Sequence, residues 1–313
     1  MLFFAAAQVV AFGLIFIVAE LVMGGVRLSL RGAVRDAPSK IVRAASPVPG
    51  WEDRVLSISV VGDSHTYGKG APRGLSYPDQ LAALINQTGR VGGTNIVNLS
   101  FPGMNSNEAS AKFLEHARGG GSSLAVICIG NNNKHNLNLT GFLPDEIAGL
   151  PVKERLYHLL EHSGTYRLSK IARSRIRQAM DEDGSKVYLH DAYWRDCVLC
   201  EEDEPFLRSW LRHDLDLMIL AARARGIRVV LLSYYYAQAY IDDTMADLAA
   251  QYRIPFVDVR RFGLPPGRDI VPLLGDPSHP NAEGYGIIAR KVFDTLMKND
   301  LVPPPGPRGV AGQ

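Results

Sequence analysis

An excess of charge of either sign is almost missing from this chain. Its 34 Lys and Arg nearly cancel its 32 Asp and Glu, leaving +2 over 313 residues. A broad nucleic-acid surface is therefore not expected. Cysteine is scarce, with three in all. Cys128 lies in an apolar run and reads as a buried core thiol. Cys197 and Cys200 stand as Cys-x-x-Cys, but no second pair completes a zinc site of four thiolates. A local disulfide, in a domain outside the cytoplasm, and two unrelated loop thiols fit that pair equally. The eight histidines show no His-Glu-x-x-His spacing, so no metal is called for. No internal repeat is visible. What the chain does contain is 46% hydrophobic and 21% charged residues, the balance of a globular protein with a substantial core.

Lys and Arg are also missing from the amino terminus. Residues 2–26 are apolar apart from Gln8, Glu20 and a few small residues. Such a run meets the roughly 20 residues that cross a bilayer core as a helix. A cleaved signal peptide normally has a shorter apolar region preceded by Lys or Arg, and neither holds here. A single transmembrane anchor is therefore expected over residues 1–26. Arg27, Arg31, Arg35, Lys40 and Arg43 follow it, and the positive-inside bias alone would put the rest of the chain in the cytoplasm. Residues 27–53 are basic, carry Pro38, Pro47 and Pro49, and read as a linker. The Pro- and Gly-rich end, residues 301–313, reads as a disordered tail.

Between them, residues 54–300 alternate short apolar strands with helical patterns. Strands are expected over 55–61, 95–99, 124–129, 227–233 and 255–259. Helices are expected over 75–87, 105–118, 206–225, 241–252 and 281–297, with Asn105 as a cap answered by Glu108. Continuous apolar strands alternating with helices point to a parallel sheet covered on both faces. Ligands then bind beyond the carboxyl ends of the strands. Residues 134–205 break the rhythm and read as an insertion beside the site, either scaffold or lid.

Four short segments fall at or near that sheet edge. Gly62-Asp63-Ser64 ends the first strand. A lone Gly-Asp-Ser often makes an ordinary turn. Far downstream stands Asp276-Pro277-Ser278-His279-Pro280-Asn281. A serine hydroxyl is a poor nucleophile unless a base lies within hydrogen-bond reach and a further group orients that base. Asp276 and His279 can supply both from one loop. Acyl transfer also needs donors for the developing oxyanion. Gly103, after the second strand, allows close approach of a backbone N–H. Asn132, after the third, offers a side-chain amide, and the Ser64 N–H completes the set.

Together, and in this order, these segments resemble the SGNH (GDSL-like) hydrolase superfamily, named for its Ser, Gly, Asn and His blocks. The resemblance runs from Val55 to about Met297 and rests on Gly62-Asp63-Ser64, Asn98-Leu99-Ser100-Phe101-Pro102-Gly103, Gly130-Asn131-Asn132-Asn133 and Asp276-Pro277-Ser278-His279-Pro280-Asn281. It implies a flavodoxin-like three-layer α/β/α fold. It also implies Ser64 as nucleophile, His279 as base, Asp276 as its partner, and Ser64, Gly103 and Asn132 as oxyanion donors, with no metal or organic cofactor. One departure stands out: the third block usually reads Gly-x-Asn-Asp, and position 133 is Asn. Asn133 and His65, which replaces the usual Leu or Phe after the serine, are candidate pocket residues.

The resemblance implies hydrolysis of O-acetyl or other short acyl esters on a carbohydrate or envelope polymer. Acyl transfer to a sugar hydroxyl is the alternative, ahead of lysophospholipase or thioesterase activity and of non-catalytic binding. Expected partners are an acylated carbohydrate or small ester and the membrane, not nucleic acid. Substrates of that kind favour an extracytoplasmic catalytic domain, against the flanking charges.

Overall fold

A computed structural model of the chain describes residues 40–44, 55–136 and 203–304, together with positions 152, 155, 156 and 160. The apolar run 2–26, Cys197, Cys200, the tail from 305 onward and most of the 134–205 insertion lie outside the described residues. Among the described residues, no helix is long and apolar enough to cross a membrane.

The strands β1 (Lys40–Ala44), β2 (Val55–Gly62), β3 (Gly93–Asn98), β4 (Leu124–Cys128), β5 (Arg228–Leu232) and β6 (Phe256–Val257) form one sheet in the order β1-β3-β2-β4-β5-β6. The five from β3 to β6 run parallel, and β1 lies antiparallel on the edge. Strand β4, in the middle, is buried at every residue, as a strand covered on both faces must be. The expected parallel sheet is present. Strand β1 is a difference, because it forms inside the stretch read as a linker. Lys40-Ile41-Val42-Arg43-Ala44 is too short to show a period.

The helices are α1 (Ser64–Tyr67), α2 (Tyr77–Gln87), α3 (Ser106–Gly119), α4 (Glu204–Arg223), α5 (Ala239–Tyr252) and α6 (Ala282–Lys298). Helix α2 packs against α6, while α3, α4 and α5 pack in series, giving the three-layer α/β/α arrangement. Caps set the helix starts. Ser76 and Asp79 form a capping box, so α2 begins at Tyr77 and leaves Leu75 exposed outside it. Asn105 and Glu108 form the expected box at α3. Asn281 caps α6, its side chain accepting from the Gly284 N–H. The apolar faces of these helices and the sheet share one core that includes Trp210, Phe113, Ile58 and Leu81. Cys128 belongs to it and is buried, as expected.

Candidate active site

Four loops meet at the carboxyl edge of the sheet. Strand β2 leads straight into α1, so Ser64 sits at the first helical position. Asp63 caps the helix, its Oδ1 accepting from the His65 N–H at 2.9 Å. Asp276 and His279 arrive on a small antiparallel hairpin, β7 (Leu274–Asp276) and β8 (His279–Pro280), in which the two residues are paired partners. Pro277 and Ser278 make the turn, and the Ser278 N–H donates to Asp276 Oδ1 at 2.8 Å. Two glycines let this hairpin reach the serine. A Cβ on Gly275 would lie 1.9 Å from the Gly70 carbonyl oxygen, and a Cβ on Gly70 would lie 2.9 Å from the His279 Cβ. Neither is compatible with real contacts, so the loop after α1 and the hairpin can close only as glycines.

The result is a continuous chain across 215 residues of sequence. His279 Nδ1 lies 2.7 and 2.9 Å from the two Asp276 oxygens, and His279 Nε2 lies 2.9 Å from Ser64 Oγ. An ionised carboxylate can only accept, so Nδ1 carries the proton. Nε2 is then left to accept the Ser64 hydroxyl. Burial is the leading influence on His279 and pulls its pKa below the ordinary value. The neighbouring His65 pulls the same way, and Asp276 opposes both. Burial pushes the Asp276 carboxyl up, but it still ends below its ordinary value because the Ser278 N–H and His279 outweigh that effect. The pair therefore stands as a carboxylate beside a neutral imidazole at neutral pH.

Gly103 has φ +81°, and a Cβ there would meet nothing within 4 Å. The left-handed backbone, not lack of space, is what requires glycine. Its N–H donates to no group among the described residues, and the Ser64 N–H belongs to the free first turn of α1. Asn132 lies in the 3₁₀ turn Asn131–Lys134 after β4 and is partly exposed. Its amide is already engaged: Nδ2 donates to Asp63 Oδ2 and to the Met104 carbonyl, each at 3.2 Å. Both bonds are long. Asn136 ties the two donor loops together, donating to the Gly103 carbonyl at 3.1 Å and to Glu108 at 2.8 Å.

The two candidate pocket residues differ in their surroundings. Asn133 is fully buried. Its Oδ1 accepts from the Ser106 N–H and its Nδ2 donates to Ser106 Oγ, both at 2.8 Å, so it props the start of α3. Ser106 Oγ in turn donates to the buried Asp214 at 2.5 Å. A carboxylate at position 133 would compete with Asp214 for that one hydroxyl and repel it. An amide can donate as well as accept, so Asn fits this chain. His65 is 5% exposed and lines a small cavity with Tyr77, Cys128, Tyr234 and Tyr285. Its Nδ1 donates to Asp63 at 3.2 Å, and its ring lies 5.0 Å from those of His279 and Tyr234.

Residues that the sequence reading passed over complete the site. Tyr234, just past β5, donates its hydroxyl to Asp63 Oδ2 at 2.7 Å and accepts from the Asn131 N–H at 3.3 Å. Gln238 donates to Asn131 Oδ1 at 2.9 Å, and Tyr240 to the Gly130 carbonyl at 2.7 Å. The third block is thus held in place from the β5–α5 connection. The only signal was the Tyr234-Tyr235-Tyr236 run at the end of an apolar strand, where a sheet edge meets a ligand site.

The family model described as "GDSL-like Lipase/Acylhydrolase family" matches residues 60–287, a span that holds Ser64, Gly103, Asn132, Asp276 and His279. No curated protein matches the chain. Solved structures similar to it include the family 3 carbohydrate esterase of Clostridium thermocellum, at 13% identity and TM-score 0.48, covering 80% of this chain and 100% of that one. The lipase/acylhydrolase of Enterococcus faecalis is 13% identical with TM-score 0.45, covering 78% and 96%. A member of the lipolytic protein G-D-S-L family from Veillonella parvula DSM 2008 is 14% identical with TM-score 0.44, covering 78% and 99%.

Proposed function

Because this chain belongs to the GDSL-like lipase/acylhydrolase family, we propose that it is a serine esterase removing O-acetyl or other short acyl groups from a carbohydrate or envelope polymer. The unbroken Asp276–His279–Ser64 chain carries the reading. His279 Nε2 takes the Ser64 proton as Oγ attacks the ester carbonyl carbon. The Ser64 and Gly103 N–H groups, with Asn132, receive the negative charge that forms on the carbonyl oxygen. Asp276 stabilises the imidazolium. The tetrahedral species collapses, His279 returns the proton to the leaving alkoxide, and the acyl group stays on Ser64. Water then repeats the sequence through the same base.

Two features support a short acyl group. Ser64 and His279 are only 8% and 6% exposed. His65 and the Tyr234–Tyr236 rings crowd the space beside them. A sugar hydroxyl in place of water would turn the same chemistry into acyl transfer. The test is an activity screen of the full-length protein on aryl acetates and acetylated glycans, each with and without an acceptor glycan. Release of free acetate supports hydrolysis, acetylated acceptor supports transfer, and no turnover of any acyl ester overturns the reading.

The protonation of His279 fixes the pH dependence. The base must be neutral, and its pKa is drawn below the ordinary value of about 6.5. Activity is therefore full above that point and falls as the pH drops through the lowered pKa. The acid limb of kcat/KM is expected to have its midpoint below about pH 6.5. A midpoint above 7 would mean that another group limits the reaction.

We further propose that residues 2–26 anchor the enzyme and that the catalytic domain lies outside the cytoplasm, where envelope polymers are. Long domains translocate despite flanking charges, and Cys197-x-x-Cys200 suits an oxidising compartment. Fusions of alkaline phosphatase and of a cytoplasm-only fluorescent protein to Gln313 decide the matter. Active phosphatase with a dark fluorescent protein is expected. The reverse pattern places the domain inside.

A further inference from the structure

We propose that Tyr234 is a positioning residue that keeps the Asn132 amide free to meet the oxyanion, acting through Asp63; this rests on the esterase reading above. Asp63 is a fully buried carboxylate. Its Oδ1 accepts from the backbone N–H and the Nδ1–H of His65. Its Oδ2 accepts from the Tyr234 hydroxyl at 2.7 Å and from Asn132 Nδ2 at 3.2 Å. A buried charge deprived of donors is costly, so Asp63 draws on every donor within reach.

The two bonds on Oδ2 are unequal. An O–H···O⁻ bond of this length is strong, while the Asn132 bond is long for a charge-assisted contact. While the tyrosine holds Oδ2, the amide can leave it for a developing oxyanion without orphaning the carboxylate. Take the hydroxyl away and Asn132 becomes, among the described residues, the sole donor to Oδ2, held there when the transition state needs it. Tyr234 is built to stay a donor. Burial, and then the charge of Asp63, push its pKa well up, so it keeps its proton. Its ring is buried, edge-on to His65. The same oxygen accepts the Asn131 N–H, which fixes the backbone next to Asn132. The Tyr234 hydroxyl bonds neither Ser64 nor His279, so any effect on rate runs through Asp63 and the 131–132 turn.

A merely structural role would lower stability and leave kcat per folded molecule intact. The test is the Tyr234→Phe variant of the full-length protein on an aryl acetate. We expect kcat to fall about tenfold, less than the roughly 10²–10³-fold cost of losing a donor itself, with KM unchanged. Affinity for an aryl boronic acid, which forms a tetrahedral adduct on the serine, should fall by the same factor. In an Asn132→Ala background the Tyr234→Phe change should cost nothing further. Tyr252→Phe is the control, since its ring lies against Arg223 at the end of α4 that leads into β5, opposite the carboxyl edge of the sheet, and its kcat should match wild type.

Wild-type kcat in Tyr234→Phe, or an equal loss in both backgrounds, overturns the proposal. If that variant does not fold, a crystal structure of the wild-type boronate adduct decides. Asn132 Nδ2 on a boronate oxygen with the tyrosine still on Asp63 is expected, and Asn132 still on Asp63 overturns it. Ser64→Ala in the same assay separates the two readings. An inactive Ser64→Ala beside an unaffected Tyr234→Phe removes only this proposal, whereas an active Ser64→Ala removes both.

Discussion

Ser64→Ala and His279→Ala each lower kcat by about 10⁴- to 10⁶-fold, and the double variant is little worse than either alone. The reason is the single proton that the two residues share. Ser64 Oγ and His279 Nε2 are 2.9 Å apart, and in the proposed reaction attack on the ester and removal of the hydroxyl proton are one event. Without the base the hydroxyl is a weak nucleophile, and without the hydroxyl the base has nothing to activate. Losses that come from one step cannot add. Residual rate over water is left to the oxyanion donors and to binding. Steady-state kinetics on an aryl acetate measure it. Losses that multiply in the double variant would mean that the two residues act in separate steps.

Asn132→Ala lowers kcat roughly 10²–10³-fold with KM little changed, the cost of one oxyanion donor whose bond is made mainly in the transition state. Asn133→Ala provides the contrast. Asn133 is fully buried and holds Ser106 through two bonds at 2.8 Å. Its loss should cost about 1–3 kcal/mol of stability through unpaired buried groups, with the smaller effect on kcat. Thermal unfolding and kinetics on both variants separate the roles. A larger kcat loss from Asn133→Ala would mean that the side chain facing the substrate has been misassigned by one position.

Much of the frame was legible in the sequence because its signals are local. Apolar runs such as Leu124–Cys128 mark central strands, and Asn105 with Glu108 marks a helix start within four residues. Ser64, Gly103, Asn132, Asp276 and His279 could be picked out because each sits at or near an edge that the strand pattern already locates. Side-chain direction was not legible. Asn132 and Asn133 are identical neighbours, yet one is partly exposed and the other props a helix from inside. The difference comes from the 3₁₀ turn they share. Tyr234 bonds Asp63 across 171 residues, and no spacing encodes such a contact. Strand β1 was missed because five residues at an edge owe their structure to their partner, β3, rather than to their own pattern. The β7–β8 hairpin was missed for a related reason: it contains Gly, Pro and Ser, and owes its place to the mutual approach of Gly70 and Gly275.

The most direct test of Ser64 as nucleophile is covalent capture. A fluorophosphonate is attacked by an activated serine and leaves a stable adduct on the oxygen that attacked. Full-length wild-type protein, treated briefly and digested, is predicted to carry one adduct, on Ser64. Ser64→Ala is predicted to carry none. Labelling that persists in Ser64→Ala, or that falls on another residue of the wild type, would contradict it.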